Sequence, residues 1–377
     1  MTRISPGGTV GILGGGQLAR MLALEARRMG YRVAIQDPDP DASGMQLADH
    51  RIVGAFGDPA AAAELAACSE VITLDTEHVP VDLLEQLSAT RPVRPGPGVL
   101  RIIQDRLEQR RFLTSLDIAQ TAYAVIERSA DLAAASAIAF PAVLKTRRAG
   151  YDGKGQVRVA NAAALPAAWE ALGCAPAVLE TFVRFAKEIS VLLARATDGR
   201  FRFYPIAENE HRGHILHTSR APARVSVDVE VRAQLLGARI ATALDHVGMM
   251  AVELFLLPGD ELLVNEIAPR THNSGHFTLG GCVTSQFEQH LRAICGLPLG
   301  DPTLLRPVVM LNLLGELWSA GPPRWDRVVA HPTARLHLYG KRDPVVGRKM
   351  GHVLVIDDDA DAVVAAICSG LGLAARS

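Results

Sequence analysis

Glu253 and Glu266 are the residues whose placement calls first for a chemical reason. They lie in residues 249–270, MMAVELFLLPGDELLVNEIAPR, where two apolar runs flank the turn-forming Pro258-Gly259-Asp260-Glu261. The pattern predicts a β-hairpin, and a turn centred between Gly259 and Asp260 sets the two glutamates directly opposite each other. Like charges opposed on a sheet face cost a few tenths to about 1 kcal/mol, and more on apolar strands, where a charge loses water. A divalent cation between the carboxylates removes the objection; Mg2+ takes one or two carboxylates plus phosphate oxygens. The competing reading, two glutamates facing water at a sheet edge, fits the hairpin equally well.

Other stretches favour the cation. Of 39 basic residues only five are lysines (Lys145, Lys154, Lys187, Lys341, Lys349), so a retained lysine suggests a need for a compact ammonium. Lys145 ends an apolar strand, and Arg147-Arg148-Ala149-Gly150-Tyr151-Asp152-Gly153-Lys154-Gly155-Gln156 follows. Three glycines within six residues let backbone approach a ligand, and the lysine adds charge, as in a lid over a polyphosphate. Residues 177–180 read as a strand, with Thr181-Phe182-Val183 and Glu188 beyond it. Such a segment can offer an apolar slot and edge groups to a nucleobase, and Glu180 and Glu188 offer carboxylates to ribose hydroxyls. His211, in a polar turn, reads on its own as a surface histidine. Residues 268–276, APRTHNSGH, form a non-periodic polar stretch rich in donors, and Lys341, Arg342, Arg348 and Lys349 form a second basic cluster.

These groups need a frame. Residues 9–13 are apolar and run into Gly14-Gly15-Gly16, a helical pattern follows to Gly30, and residues 31–35 with Asp37 complete a strand–turn–helix–strand unit. Gly14, Gly16 and Ala19 satisfy a loose G-x-G-x-x-A fingerprint, which predicts an anion on the helix N-terminus without specifying a dinucleotide. Residues 71–74 are a third strand with Asp75, Glu77 and His78 at its carboxyl end, where open α/β sheets bind ligands. Residues 91–98, RPVRPGPG, read as a linker, residues 100–116 as one amphipathic helix, residues 285–295 as another, and residues 302–307 as a second boundary. Short strands are expected at 308–313, 334–339 and 352–356.

The whole chain sets bounds. Its 377 residues suffice for two or three domains, 49% are hydrophobic, and mean hydropathy is +0.16. A net charge of −1 argues against nonspecific nucleic-acid or membrane-surface binding. The first residues lack a signal-peptide layout, no run of 18 apolar residues occurs, and five scattered cysteines without a CxxC pair suit a reducing cytoplasm.

Taken together, GILGGGQLARM, LKTRRAGYDGKGQ, NEIAPRTHNSGH, TSQFEQHLRA and YGKRDPVVGRKMGH resemble the ATP-grasp superfamily and, within it, the 5-(carboxyamino)imidazole ribonucleotide synthase family of purine biosynthesis. The resemblance runs from residue 10 to about residue 355. It implies an α/β and α+β architecture: a Rossmann-like pre-ATP-grasp domain over 1–97, an ATP-grasp domain over 98–300 whose two α+β subdomains clasp ATP, and a small C-terminal domain over 301–377. It implies a ligase reaction in which bicarbonate and MgATP give carboxyphosphate, and the exocyclic amine of 5-aminoimidazole ribonucleotide is carboxylated. ATP and Mg2+ are the implied cofactors, with Mn2+ tolerated. A homodimer is implied, and no nucleic-acid or membrane partner.

Carried over position by position, the resemblance puts Arg106, Lys145, Gly150, Tyr151, Asp152, Gly153, Lys154, Gly155, Gln156, Glu180, Thr181, Phe182, Val183, Glu188, His211, Asn265 and Glu266 around ATP. It puts Glu253 and Glu266 on magnesium, and Tyr151, Arg270, His272 and Lys341 at the reacting groups. Gln17, Glu77, Asn273, Ser274 and Arg348 fall to the ribonucleotide, Lys341 and Arg348 at its 5′-phosphate. Ala268 stands where many ATP-grasp enzymes carry a metal-binding asparagine, so a third protein oxygen must come from elsewhere. The rivals are a nicotinamide-dependent dehydrogenase built on the Gly14 fingerprint, a biotin carboxylase, and a non-catalytic nucleotide-binding regulator.

Overall fold

The apolar runs near the amino end become a parallel sheet. In the computed structural model, which describes residues 3–148, 150 and 155–373, β1 (Thr9–Leu13), β2 (Arg32–Asp37), β3 (His50–Val53) and β4 (Val71–Leu74) stand in the order β3-β2-β1-β4. Every residue of β1 and β4 is buried, as parallel strands covered on both faces require. The helix Gln17–Arg28 joins β1 to β2 and buries Leu18, Ala19, Met21 and Leu22. β3 escapes a periodicity reading because its HRIV sequence buries only Ile52.

Two sequence expectations change here. The linker at 91–98 is partly structured: Val93 bridges Ile72 in parallel, and a helix begins at Pro97. The single helix expected over 100–116 is two, Pro97–Ile103 and Arg106–Ser115. Asp105 breaks it by capping the second helix, its carboxylate accepting from Leu107 N at 3.0 Å, while Gln104 donates to the carbonyls of Glu77 and Val79.

Two antiparallel sheets follow. The smaller contains β5 (Tyr123–Ile126), β6 (Ala142–Thr146), β7 (Gln156–Val159) and β8 (Ala177–Thr181), ordered β5-β8-β6-β7. The larger has nine strands: β9 (Lys187–Arg195), β10 (Phe201–Phe203), β11 (Ala207–Arg212), β12 (Ile215–Ala221), β13 (Gly248–Leu256), β14 (Leu262–Ala268), β15 (Val308–Leu314), β16 (Ala334–Leu338) and β17 (Lys349–Ile356). Its order is β14-β13-β9-β11-β12-β15-β17-β16, with β10 beside β9.

The carboxyl-terminal strands therefore share a sheet with the central region. β15 pairs with β12, so the sheet runs through the expected boundary at 300/301 without a break. Pairing satisfies the edge of β12, which would otherwise expose a row of donors and acceptors. This segment still packs a core of its own, from Val309, Leu311, Val353, Val355, Val364 and Ile367.

Candidate active site

The hairpin forms, with a refinement. Beside the turn the pairs are Leu256 with Leu262, Phe255 with Leu263 and Leu254 with Val264, one residue away from the register expected of the sequence. A bulge after Leu254 then resets the ladder, and Glu253 faces Glu266 as expected, with Asn265 as the extra residue. The apolar positions explain why: Val264 and Ile267 are both buried, and an unbroken ladder could not keep both inside along with the residues nearer the turn.

Beneath the hairpin lies a cluster of cations. Glu180, at the end of β8, is 3% exposed and makes 2.8 Å ion pairs with Arg106, Arg110 and Lys145. Burial works to raise its pKa, but Arg106, Lys145 and Arg110 hold it well below the usual carboxylate range. Burial, then the Arg106 guanidinium, push the Lys145 ammonium down to about 8. Three cations around one buried carboxylate leave positive charge in excess, which suits a polyphosphate. The Glu180 carboxylate is consumed by this cluster, so of the two carboxylates offered to a ribose only Glu188 remains. Burial pushes Glu188 up to about 7. Its Oε1 accepts no hydrogen bond among the described residues and lies 3.4 Å from His211 Nδ1. Asn209 pairs with Glu188, and His211, two residues further along β11, shares that face by ordinary alternation; the bulge beside it places its extra residue, His217, in β12.

A second locus lies at the carboxyl ends of the amino-terminal sheet. Arg270 Nη2 donates to Glu77 Oε2 at 2.9 Å, and Lys341 Nζ donates to Gln17 Oε1 at 2.7 Å. Lys341 and Arg348 line a cleft of about 340 Å3 with Gly15, Gly16, Asp37 and Ser43. The glycine turn does not offer its donors to an outside anion in the way its fingerprint predicts. Gly16 N and Ala19 N donate to Asp75 at 2.8 and 2.7 Å, and Gly15 N donates to Asp37 at 2.6 Å. The protein's own carboxylates occupy the helix N-terminus, so a dinucleotide pyrophosphate has no seat there. Gly16 has to be glycine because a Cβ would stand 2.4 Å from Asp75 Oδ2.

The polar stretch after β14 connects the two loci, and it is buried. Thr271, Asn273, Ser274 and His276 are each less than 7% exposed. Gln286 clamps the loop by accepting from His272 N at 2.9 Å and donating to His272 O at 2.8 Å. His272 Nδ1 accepts from Ser274 N at 3.3 Å, which leaves the ring proton on Nε2, 3.7 Å from Glu253 Oε1. Burial and the charge of Arg270 hold His272 well below its ordinary pKa, so the ring is neutral. Asn273 exchanges two hydrogen bonds with Asn312, at 3.1 and 2.7 Å. The side chains of Asn273 and Ser274, expected at the ribonucleotide, both have partners inside the protein, Ser274 Oγ lying 2.8 Å from His272 Nδ1, as buried polar groups require.

Comparison with known proteins matches this layout along its whole length. A ribonucleotide synthetase preATP-grasp domain matches residues 8–104, an ATP-grasp domain residues 111–287, and a phosphoribosylaminoimidazole carboxylase C-terminal domain residues 308–366. The N5-carboxyaminoimidazole ribonucleotide synthase of Brucella melitensis is 44% identical over 93% of this chain and 97% of its own, and that of Bacillus subtilis 41% identical over 95% and 94%. The chain belongs to the N5-carboxyaminoimidazole ribonucleotide synthase family. It is an ATP-grasp ligase. A solved ADP complex of an N5-carboxyaminoimidazole ribonucleotide synthetase superposes with a TM-score of 0.92 at 39% identity, covering 98% of both chains. The Aspergillus clavatus synthase, solved with ADP and 5-aminoimidazole ribonucleotide, gives 0.89 at 32% identity, covering 97% of this chain and 99% of that one.

In this synthase-family chain the structure brings Arg106, Lys145, Glu180, Glu188, His211, Glu253, Asn265 and Glu266 to one locus, and Gln17, Glu77, Arg270 and Lys341 to the other. His272 stands between them. Phe182 lies under the Arg158 guanidinium at 4.7 Å, and Thr181 ends β8 with Val183 just beyond it. Gln156 opens β7 opposite Lys145, and Gly155 takes a φ of +69° where a Cβ would meet Thr146 Oγ1 at 2.6 Å. Gly150 is exposed, while Tyr151, Asp152, Gly153 and Lys154 lie outside the described residues. Arg110 and Gln286 were missed by sequence reasoning, and Asp75, expected near a ligand, instead caps the glycine turn. Arg110 sits four residues after Arg106 on one helix face, a spacing that could have revealed it; Asp75 and Gln286 act through contacts that no local pattern encodes.

Proposed function

We propose that the chain carboxylates the exocyclic amine of 5-aminoimidazole ribonucleotide, using bicarbonate and ATP and releasing ADP and phosphate. Bicarbonate oxygen attacks the γ-phosphorus and ADP leaves; the carboxyphosphate so formed gives its carboxyl group to the amine, and phosphate leaves. The observation that carries this reading is the pairing of two charged loci through one buried loop. The Arg106–Lys145–Glu180 cluster suits a polyphosphate, Lys341, Arg342 and Arg348 bring cations to a second cleft beside Asp37, Asp39, Asp41 and Asp343, and His272 with Arg270 stands between them. Positioning and charge neutralisation are most of what phosphoryl transfer needs from a protein. Neutral His272 can donate from Nε2 toward oxygen without adding a charge that would compete for the metal carboxylates.

The donor set fits Mg2+. Among the described residues no group of three or more His, Cys, Asp or Glu converges, so Glu253 and Glu266 would hold the ion with phosphate oxygens completing the shell. Asn265 Oδ1 is buried and accepts no hydrogen bond among the described residues, which makes it the protein oxygen that Ala268 cannot supply. The ion would neutralise the β- and γ-phosphates. Lys341 and Arg348 would hold the ribonucleotide 5′-phosphate. A homodimer and a cytoplasmic location complete the reading. The exposed row Val227, Val231 and Leu235 offers apolar surface for a second copy to cover, all five cysteines are free thiols, and no helix of the described residues is long and apolar enough to cross a membrane.

The test is ADP release assayed with 5-aminoimidazole ribonucleotide, with and without bicarbonate. ADP formation that requires all three substrates is expected. Hydride transfer to NAD without ATP turnover would refute the ligase, and turnover with biotin but not with the ribonucleotide would move the assignment to a biotin carboxylase.

A further inference from the structure

β14 holds one residue more than β13 can pair. If the ladder ran on unbroken from Val264, Asn265 would face Glu253 and Glu266 would turn to the opposite face, because side chains alternate. The bulge prevents this and in doing so frees main-chain groups from the ladder. Val264 uses its N–H on Ala119 O, on the side away from β13, and its carbonyl points the same way. The Asn265 carbonyl points there too, so two successive carbonyls turn outward from the hairpin. Buried polar groups left unpaired are costly, and a charged neighbour meets both: Arg110 Nη1 donates to Val264 O at 3.1 Å and Nη2 to Asn265 O at 2.9 Å. The same guanidinium gives Nε to Glu180 at 2.8 Å, and its side chain is 0% exposed.

We propose that Arg110 is a positioning residue for the metal site: its planar fork holds the Asn265 bulge, and the bulge brings Glu266 onto the face of Glu253. This rests on the reading that those two carboxylates bind the metal. The hydrogen bonds of Arg110 go to protein partners, and its influence on catalysis passes through the hairpin. A lysine there would keep a positive charge beside Glu180 but could not present two parallel N–H groups to two successive carbonyls.

The test uses Mn2+ as the probe. Arg110→Lys is compared with the wild type in three measurements: thermal unfolding, ADP affinity in EDTA by calorimetry, and Mn2+ affinity of the enzyme–ADP complex by electron paramagnetic resonance. The expected result is a folded variant whose metal-free ADP affinity stays within about twofold while its Mn2+ affinity falls about tenfold or more, the loss of one well-placed ligand. An unchanged Mn2+ affinity overturns the proposal. So does an equal loss of metal-free ADP affinity, which would mean that Arg110 acts only through the Glu180 cluster. If Arg110→Lys does not fold, deleting Asn265 in that background removes the bulge and returns Glu266 to the face of Glu253 in a regular ladder; recovery of folding is expected, and no recovery overturns the proposal. Glu253→Gln separates the two readings: if it leaves Mn2+ affinity intact, the metal assignment itself fails, whatever Arg110→Lys shows.

Discussion

Replacing Glu253 with glutamine should move stability and catalysis in opposite directions. The Glu253 side chain is 14% exposed and faces Glu266 across the bulge. Opposed like charges on a sheet cost a few tenths to about 1 kcal/mol, so the amide relieves up to about that much in the protein without ligands. In a chain this long 1 kcal/mol shifts Tm by about 2–4 °C or less. Shape is kept and the Nε2–H of His272 retains an oxygen to face, while some attraction to the Arg106 guanidinium is lost, so the net change is small. The nucleotide complex behaves otherwise. With Glu253 and Glu266 holding the metal as proposed, one of its two protein charges is gone, and single preorganised electrostatic contacts are worth about 10²–10³ in kcat. Differential scanning fluorimetry without ligand should show a Tm equal to or slightly above wild type, and the further rise on adding ADP and Mg2+ should shrink. ADP release at saturating ribonucleotide and bicarbonate should fall by two orders of magnitude or more. An unliganded Tm that drops by more than about 4 °C while turnover at saturating Mg2+ survives would refute the reasoning, since the carboxylates would then be structural.

Glu180→Gln should do the reverse to stability: it strands three cations around a site that is 3% exposed, and breaking a buried ion cluster on one side costs about 3–5 kcal/mol; a urea midpoint equivalent to less than about 1 kcal/mol would contradict the cluster's importance. Arg348→Ala should raise KM for the ribonucleotide about tenfold with little change for ATP, one charge-assisted hydrogen bond being worth roughly 1.5–3 kcal/mol; equal effects on both substrates would reject the 5′-phosphate assignment. Acid should unfold the protein through its buried histidines. His290 accepts from Met249 N and bonds Thr73 across the sheets, and burial holds its pKa down to about 3. The unfolded chain therefore takes up the proton first, so this group's contribution to stability is full above about pH 6.5 and is lost as pH falls toward 3, at up to about 1.4 kcal/mol per pH unit. Urea midpoints between pH 7 and 5 should fall in the wild type and fall less steeply in His290→Gln; parallel slopes would refute the link.

The hairpin shows how far residue order reaches. Two apolar runs around Pro258-Gly259 are enough to predict two paired strands and to set Glu253 against Glu266, because strand propensity and turn chemistry are local properties. The strands at 9–13 and 71–74, the lysine economy and the ordered motifs were legible for the same reason. The route to the glutamate pair was not: the ladder beside the turn is one residue off, and the bulge at Asn265 repairs it. That choice depends on which residues the rest of the molecule buries and on Arg110, 155 residues away in sequence from the Asn265 carbonyl it holds. Long-range partners also decided what the glycine turn does. Its composition announces an anion site, but Asp75, 59 residues away from Gly16, fills the helix end. Asn273 reads as a substrate ligand, and only the fold reveals that Asn312 also pairs with it through two hydrogen bonds. Residue order settles the kind of strands and helices, the charge types and the family; which donors and carboxylates stay open to ligands, and which bond one another, follows from the fold, because a buried polar group takes whichever partner the packing brings within reach.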